Sequence, residues 1–366
     1  MKVIVTLQHP AHFHFYRNVV SELERRGHDT WIFYRDEELI ETLLDRYAME
    51  GTCLAPGNSG TLDAMRNQAV YELGLLRRAR RIQPDVMTAI GGIAVAHVAS
   101  LVGARSVVFD DSGEYAPLNR IGRRFADLVC TPVSEDCEYG TTQQEYPGYH
   151  ELAYLHPDRF EPDPEALADL GVDVEEPYFV VRFVGWNAQH DIGHAGFDQA
   201  ARRRLVDELS DLGSVYVTTE EQLPAELREY RLPVPPEMIH DLLYYADLYV
   251  GDSQTMATEA ALLGTPAVRC NSFVESGDMG NFRELQAEYG LVFSTGDAEE
   301  AISQAVQWAA DPETDQRWQQ RLASLHGDKI DVTAFVVGTL IDQANRDPAG
   351  GLAASAIASV LRSGGH

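Results

Sequence analysis

The chain has 366 residues, 45% of them hydrophobic and 23% charged, which suffices to bury two ordinary cores without disulfide or metal staples. Its 57 acidic residues against 29 basic ones give a formal charge of −28, a surface that repels nucleic acid and bare anionic lipid and excludes polyanion binding as a main role. Such a surface fits adaptation to high salt, where self-repulsion is screened.

Strand and helix patterns alternate from the start. Lys2–Leu7 is an apolar run of strand length, and a helix follows from about Phe13 to Arg26, stopped by Gly27. Thr30–Tyr34, Val86–Ile90, Ser106–Phe109 and Leu128–Thr131 read as further strands, with a small-residue helix at about 93–101. Residues 154–177 carry Pro157, Pro162, Pro164 and Pro177 among acidic side chains, the pattern of a linker with one short helix. Alternation resumes at 178–184, 214–218, 248–251, 267–269 and 291–293, and 331–343 has the spacing of a closing helix. Continuous apolar strands alternating with helices predict parallel sheets covered on both faces. The expectation is an α/β chain of two Rossmann-like domains facing each other across a cleft. Its parts are an acceptor domain (1–155), a linker (156–177), a nucleotide-binding domain (178–330), a closing helix (331–345) and a flexible tail (346–366).

Cys53, Cys130, Cys137 and Cys270 follow no metal spacing and predict reduced thiols. Met1 leads straight into a strand, so no secretory leader is expected. No apolar run approaches the roughly 20 residues needed to span a bilayer. A cytoplasmic protein follows, with peripheral contact at the inner membrane face left open. The segment Arg66–Arg81, with Arg77, Arg78 and Arg80 and interleaved leucines, is the local exception to the acidity. It reads as an amphipathic surface helix or a membrane-docking face.

In open parallel sheets ligands sit beyond the carboxyl ends of strands. The most informative such place is 246–268, ADLYVGDSQTMATEAALLGTPAV. Here a strand ends in Gly251-Asp252-Ser253 and a helix from Gln254 to Leu263 stops at Gly264 and Pro266. The turn and helix start offer backbone N–H groups and a helix dipole to a pyrophosphate, with Asp252, Ser253, Gln254 and Thr255 around it. Glu259 lies one turn beyond Thr255 on the same face, placed to accept two ribose hydroxyls. A second loop, 182–194 (RFVGWNAQHDIGH), offers Arg182, the backbone at Gly185, and Asn187 to the same diphosphate. His190, Asp191 and His194 lack a fourth ligand, so no metal and no cofactor are expected.

The first loop, Gln8–Arg17, holds His9, His12 and His14, three of the twelve histidines. Histidine titrates near neutrality and is the natural general base for an acceptor hydroxyl. Gly91 and Gly92 open a helix after one strand, and Asp110-Asp111-Ser112-Gly113-Glu114 follows another. His9, Gly91, Gly92, Asp111 and Glu114 are therefore candidate acceptor contacts.

The 246–268 segment resembles the nucleotide-binding motif of GT-B glycosyltransferases and of non-hydrolysing UDP-N-acetylglucosamine 2-epimerases. In those families Ala-Asp, strand, acidic turn, Glu-bearing helix and Gly-x-Pro follow in the same order. The chain is similar over roughly 1–345 to the domain-of-unknown-function 354 family, described as predicted glycosyltransferases. The resemblance implies that Glu259 binds ribose, that 253–255 hold phosphate, and that Met238 and His240 in EMIHDLLYY approach the base. Gln254 stands where that motif often has glycine. The histidine loop is similar to the first loop of the peptidoglycan N-acetylglucosaminyltransferase, and the position fifteen residues before Gly27 is His12. His12 is accordingly the expected base, with His14 or His9 in support.

The function expected is transfer of a sugar from a nucleoside-diphosphate sugar to a glycan or lipid-linked acceptor. A 2-epimerase is the first alternative. Asn119-Arg120 resembles an epimerase pair and Asp111 can stand for one carboxylate. However, Gly91-Gly92 and Pro117-Leu118 occupy positions where that family has acids. A non-catalytic binder of sugar nucleotides is the second alternative, which the histidine loop argues against.

Overall fold

The computed structural model describes residues 1–35, 38–56, 61–111, 125–136, 138–184, 196–219, 223–272, 274 and 278–346. The chain divides into two compact units. One is built from residues 1–154 and the segment that begins at Ile330, and the other from Leu155–Lys329.

The first unit contains β1 (Lys2–Leu7), β2 (Asp29–Arg35), β3 (Gly51–Ala55), β4 (Val86–Ile90), β5 (Arg105–Phe109), β6 (Leu128–Pro132) and β7 (Gln143–Tyr146). They form one sheet in the order β3-β2-β1-β4-β5-β6-β7, with every pairing parallel. Parallel neighbours need crossovers, which α1 (Pro10–Arg25), α2 (Glu38–Arg46), α3 (Thr61–Ile82) and α4 (Ile93–Val102) supply. Strand order reverses between β1 and β4, so the loops after Leu7 and Ile90 lie side by side at the switch point. On one face Ile4, Phe33 and Met87 pack with Tyr71 and Leu75 of α3 and Val95 and Val98 of α4. The helix Val332–Ala344 packs with α1, β4 and β5, so the last described helix completes the first unit.

Sequence patterning finds neither β3 nor β7, and these are the two edges of the sheet. Edge strands face partners on one side only and need no continuous apolar run: GTCLA and QQEY are largely polar or partly exposed. The first helix also starts earlier than the pattern suggests. Pro10 sits at its first turn, where a missing N–H costs nothing, and His9 caps it by accepting the Ala11 N–H at 3.2 Å. His12 and His14 are therefore helical, not loop, residues.

The second unit has β8 (Tyr178–Phe183), β9 (Ser214–Thr219), β10 (Leu248–Gly251), β11 (Ala267–Cys270) and β12 (Val292–Thr295). Their order is β12-β11-β10-β8-β9, all parallel. Phe179, Val181, Val250 and Val268 pack against Leu205 and Leu209 of the helix Gln199–Ser210 and Ile302 of the helix Ala298–Ala310. Each such fully buried side chain contributes about 1.5–3 kcal/mol. Order reverses here between β8 and β10, which puts the ends of those two strands at the switch point.

Beside that point Arg269 of β11 is wholly buried and pairs with Asp278. Its guanidinium lies 3.5 Å over the Phe282 ring, and its Nε–H donates to Ser294 Oγ at 3.2 Å. Burial holds its pKa below the usual value, opposed by Asp278. Removing one member of a buried pair leaves the other charge uncompensated, at about 3–5 kcal/mol. Asp278→Ala is expected to lower unfolding free energy by about that amount in a denaturant titration, and an unchanged midpoint would contradict the pairing.

Candidate active site

The second unit's switch point is organised by Asp252. Its Oδ1 accepts the Val184 N–H at 2.6 Å, tying the end of β8 to the end of β10, and Asn271 Nδ2–H reaches its carbonyl at 3.5 Å from beyond β11. Gly251 precedes it because space demands glycine there. A Cβ would lie 2.5 Å from Tyr249 Oη and 2.7 Å from the Arg182 carbonyl. Ser253 caps the Gln254–Leu263 helix, its hydroxyl accepting the Met256 N–H at 3.4 Å. Gln254 is partly buried and Thr255 exposed in the first turn. The result is a helix N-terminus at the carboxyl edge of a parallel sheet, with N–H groups and dipole favouring an anion.

Glu259, one turn further in, is only 5% exposed. Its Oε1 lies 2.9 Å from His240 Nε2, which comes from the neighbouring helix Ile239–Tyr245. The sequence assigns these two residues separate roles, ribose and base, and the structure joins them. The imidazole N–H donates to the carboxylate and fixes its rotamer. Met238 is the cap residue of that same helix and is partly buried. Arg182 stands in register with Gly251, and its Nη1–H donates to Thr218 Oγ1 at 3.1 Å. Gly185, Asn187, His190, Asp191 and His194, and Glu114 in the first unit, lie outside the described residues.

In the first unit His9 is occupied as the cap of α1, with its ring 6.0 Å from that of His12. His14 is two residues from His12, which on a helix points it to a different side. Its ring packs against Phe13 and Tyr154, with centroids 5.7 and 5.3 Å away. Gly91 extends the β4–β5 ladder by donating to the Phe109 carbonyl at 2.8 Å. It does so with φ of 64°, and a Cβ on Gly92 would fall 2.3 Å from that of Ala89. Backbone and packing therefore account for this glycine pair unaided.

His12 and Asp111 converge on a residue that sequence reasoning misses, His150. Its Nδ1 is 2.9 Å from Asp111 Oδ2, and it is 7% exposed while the Asp111 side chain is 40% exposed. Burial pushes the His12 pKa down, aided by His9 and His150 and opposed by Asp111, to about 3. The ring is thus neutral, and its Nδ1 accepts the Gln8 N–H at 3.3 Å, which leaves the proton on Nε2. Partial burial pushes Asp111 up, but the charge and hydrogen bond of His150, with His12 beyond, hold it below the usual carboxylate range. Nothing in the local sequence marks His150: it follows an edge strand, with no motif around it.

Among the described residues no group of three His, Cys, Asp or Glu is arranged to hold a metal ion. Among them also no helix is long and apolar enough to cross a membrane.

Two parallel Rossmann-like sheets in one chain, the second with this strand–turn–helix, define an α/β protein of the GT-B fold class. The chain belongs to the family described as "Protein of unknown function (DUF354)", whose model matches residues 1–336. It is 23% identical over 290 residues to "Uncharacterized protein MJ0665" of Methanocaldococcus jannaschii, spanning 74% of this chain and 82% of that one. Among solved structures it is similar to glycosyltransferase VinC in complex with dTDP, at TM-score 0.64 and 14% identity over 95% of this chain and 100% of that one. It is also similar to the UDP-GlcNAc 2-epimerase of Methanocaldococcus jannaschii, at TM-score 0.62 and 14% identity over 88% and 100%. These likenesses bear on the fold.

The depressed pKa of His12 has a direct check. An unfolded histidine titrates near about 6.5, so protons bind the unfolded chain first and this ring's contribution to stability falls as pH drops from there toward 3. Long-range ¹H–¹⁵N spectra at pH 5 are expected to show His12 neutral with the proton on Nε2. A cationic ring at that pH would contradict the structure.

Proposed function

We propose that this protein is a metal-independent glycosyltransferase that moves a sugar from a nucleoside diphosphate to a glycan or lipid-linked acceptor. The observation that carries the reading is the strand–turn–helix 248–263 at a switch point, with Glu259 buried beside His240. The donor's diphosphate is assigned to the Asp252–Thr255 turn and helix start, with Arg182, Gly185 and Asn187 in support. Its ribose is assigned to Glu259 and its base to Met238 and His240. The acceptor is assigned to the first unit, with His9, Gly91, Gly92, Asp111 and Glu114 around it and His12 as base, backed by His14.

In this scheme the acceptor oxygen forms a bond to the anomeric carbon. The bond from that carbon to phosphate breaks, and the nucleoside diphosphate leaves with the electron pair, its charge met by N–H groups and helix dipole. The hydroxyl proton passes to His12, which exchanges its contact with the Gln8 N–H for the acceptor. A ring that is neutral at working pH can accept a proton; burial makes it a weak base in the unliganded protein, and the charge of Asp111 opposes that burial.

The first experiment incubates pure protein in molar salt with a panel of sugar nucleotides, with and without an extract of lipid and glycan acceptors. Nucleoside diphosphate released only with acceptor establishes the transferase and names its donor. A new isomer of a sugar nucleotide without release overturns it in favour of a 2-epimerase, and binding without either product in favour of a plain binder. Within the transferase reading, His12→Ala is expected to lower kcat by about 10²–10⁴-fold with donor affinity unchanged. Glu259→Ala is expected to weaken donor binding about ten- to hundredfold, the loss of a hydrogen bond to a charged group.

Arg66, Val70, Leu73, Arg77 and Arg81 share one exposed face of α3, which supports docking to an anionic membrane bearing the acceptor. Sedimentation with anionic vesicles, at the lowest salt that keeps the protein folded, is expected to pull it down. The double variant Arg77→Glu, Arg81→Glu is expected to stay in solution, and no binding by the parent would overturn the assignment.

A further inference from the structure

His150 is held rigidly. After β7 the chain turns through Pro147 and Gly148, where the Gly148 N–H donates to the Tyr146 carbonyl at 3.0 Å and any Cβ would meet Val332 at 2.7 Å. The Phe15 ring closes edge-on over the imidazole, with centroids 4.8 Å apart. Nδ1 faces Asp111, and Nε2 is buried without a hydrogen-bond partner. The charged and titratable groups around the ring are Asp110 and Asp111 at the end of β5, His12 on α1, and the adjacent Glu151. Tyr146 of β7, also buried, lies near Asp111. Burial opposes the imidazolium, but Asp111, then Glu151 and Asp110, outweigh it and raise His150 above its ordinary value.

As a stabilising device this pair is a poor one, because desolvating a charge offsets most of what an ion pair returns. Its effect falls on its partner. Asp111 keeps 40% of its side chain exposed at the carboxyl end of β5, yet one oxygen is fixed by a donor that cannot move. A carboxylate so held stays charged and in one orientation while its remaining surface faces outward.

We propose that His150 is a positioning residue whose Nδ1–H fixes the Asp111 carboxylate, charged, beside His12. The proposal rests on the transferase reading, in which Asp111 stabilises the imidazolium formed at His12. His150 itself gains and loses no proton in the cycle. Its folded-state pKa lies above the ordinary value, so the ring's charge persists to higher pH than in the unfolded chain; once that charge is lost, from the unpartnered Nε2, the neutral ring still donates Nδ1–H to Asp111.

Three variants and one spectrum test this. His150→Ala is expected to lower kcat about ten- to hundredfold, with sugar-nucleotide affinity unchanged. His150→Asn keeps an N–H donor where Nδ1 stood but does not titrate. It is expected to restore most of the lost kcat. Parental kcat in His150→Ala, or no rescue of kcat by His150→Asn, overturns the proposal, and where His150→Ala does not fold the NMR titration below decides. If the parent shows no transfer with any acceptor, the transferase reading fails on its own, and NMR titration of the unliganded protein judges the pair. A His150 midpoint above the ordinary value that drops in Asp111→Asn upholds the coupling, and a midpoint indifferent to Asp111→Asn overturns it.

Discussion

The hydrogen bond from the Val184 N–H to the Asp252 carboxylate is the constraint on which the candidate donor site depends. At a switch point the crossovers leaving two neighbouring strands go to opposite faces of the sheet, and the strand ends lose their ladder partners. Backbone groups stranded there need another acceptor. Asp252 supplies one from its side chain, while its carbonyl accepts from Asn271, so three strand ends converge on a single residue. Once that residue is fixed, Gly251 must be glycine because its neighbours leave no room, and Ser253 falls at the cap position. The N–H groups of the following helix are then aimed at one small region. The orientation of those N–H groups thus follows from satisfying the sheet's own backbone.

Each unit pairs a carboxylate with an imidazole, and the two pairs differ in what they leave accessible. His240 and Glu259 are both nearly sealed, with side chains 3% and 7% exposed. In the proposed scheme that couple is the ribose acceptor, its orientation set before any hydroxyl arrives. In the first unit the exposure is divided unequally: the imidazole of His150 is interior and the carboxylate of Asp111 reaches outward. The same contact distance thus fixes a buried carboxylate in one unit and a partly exposed one in the other. The neighbouring His12, pushed to neutrality by burial, is the one of these three imidazoles without a carboxylate bonded directly to its ring among the contacts described, and it draws on Asp111 through space.

What the sequence reveals and what it hides have physical causes. The strand 248–251 and helix 254–263 are legible to the residue because Ser253 caps the start and Gly264 ends it with positive φ. The central strands are legible because burial on both faces forces continuous apolar runs. The edges β3 and β7 are not, since a strand paired on one side tolerates polar residues such as those of QQEY. The histidine cluster of the first loop is visible, but not its placement inside a helix, which turns on the cap made by His9 before Pro10. His150 is invisible because its meaning depends on β7 and β5 being brought close by β6, a relation of topology with no local signature.

The loop after β4 bears on which chemistry the first unit can host. The epimerase resemblance requires an acid where this chain has Gly91-Gly92. Gly91 holds a φ of 64°, which disfavours any side chain. A Cβ at Gly92 would overlap Ala89 at 2.3 Å. The backbone here is bent toward β5 by the Gly91 bond to Phe109, so restoring an acid would mean rebuilding the end of β4. Abstraction of a proton from carbon calls for a base and an acid set on opposite sides of the substrate. Around the exposed Asp111 carboxylate the described residues of the first unit instead gather the neutral His12 ring and the supporting His150, with Asp110 and Glu151 beside it. That inventory suits removal of a proton from a hydroxyl, whose acidity is far closer to that of a histidine, and so supports transfer to an oxygen acceptor over inversion at carbon.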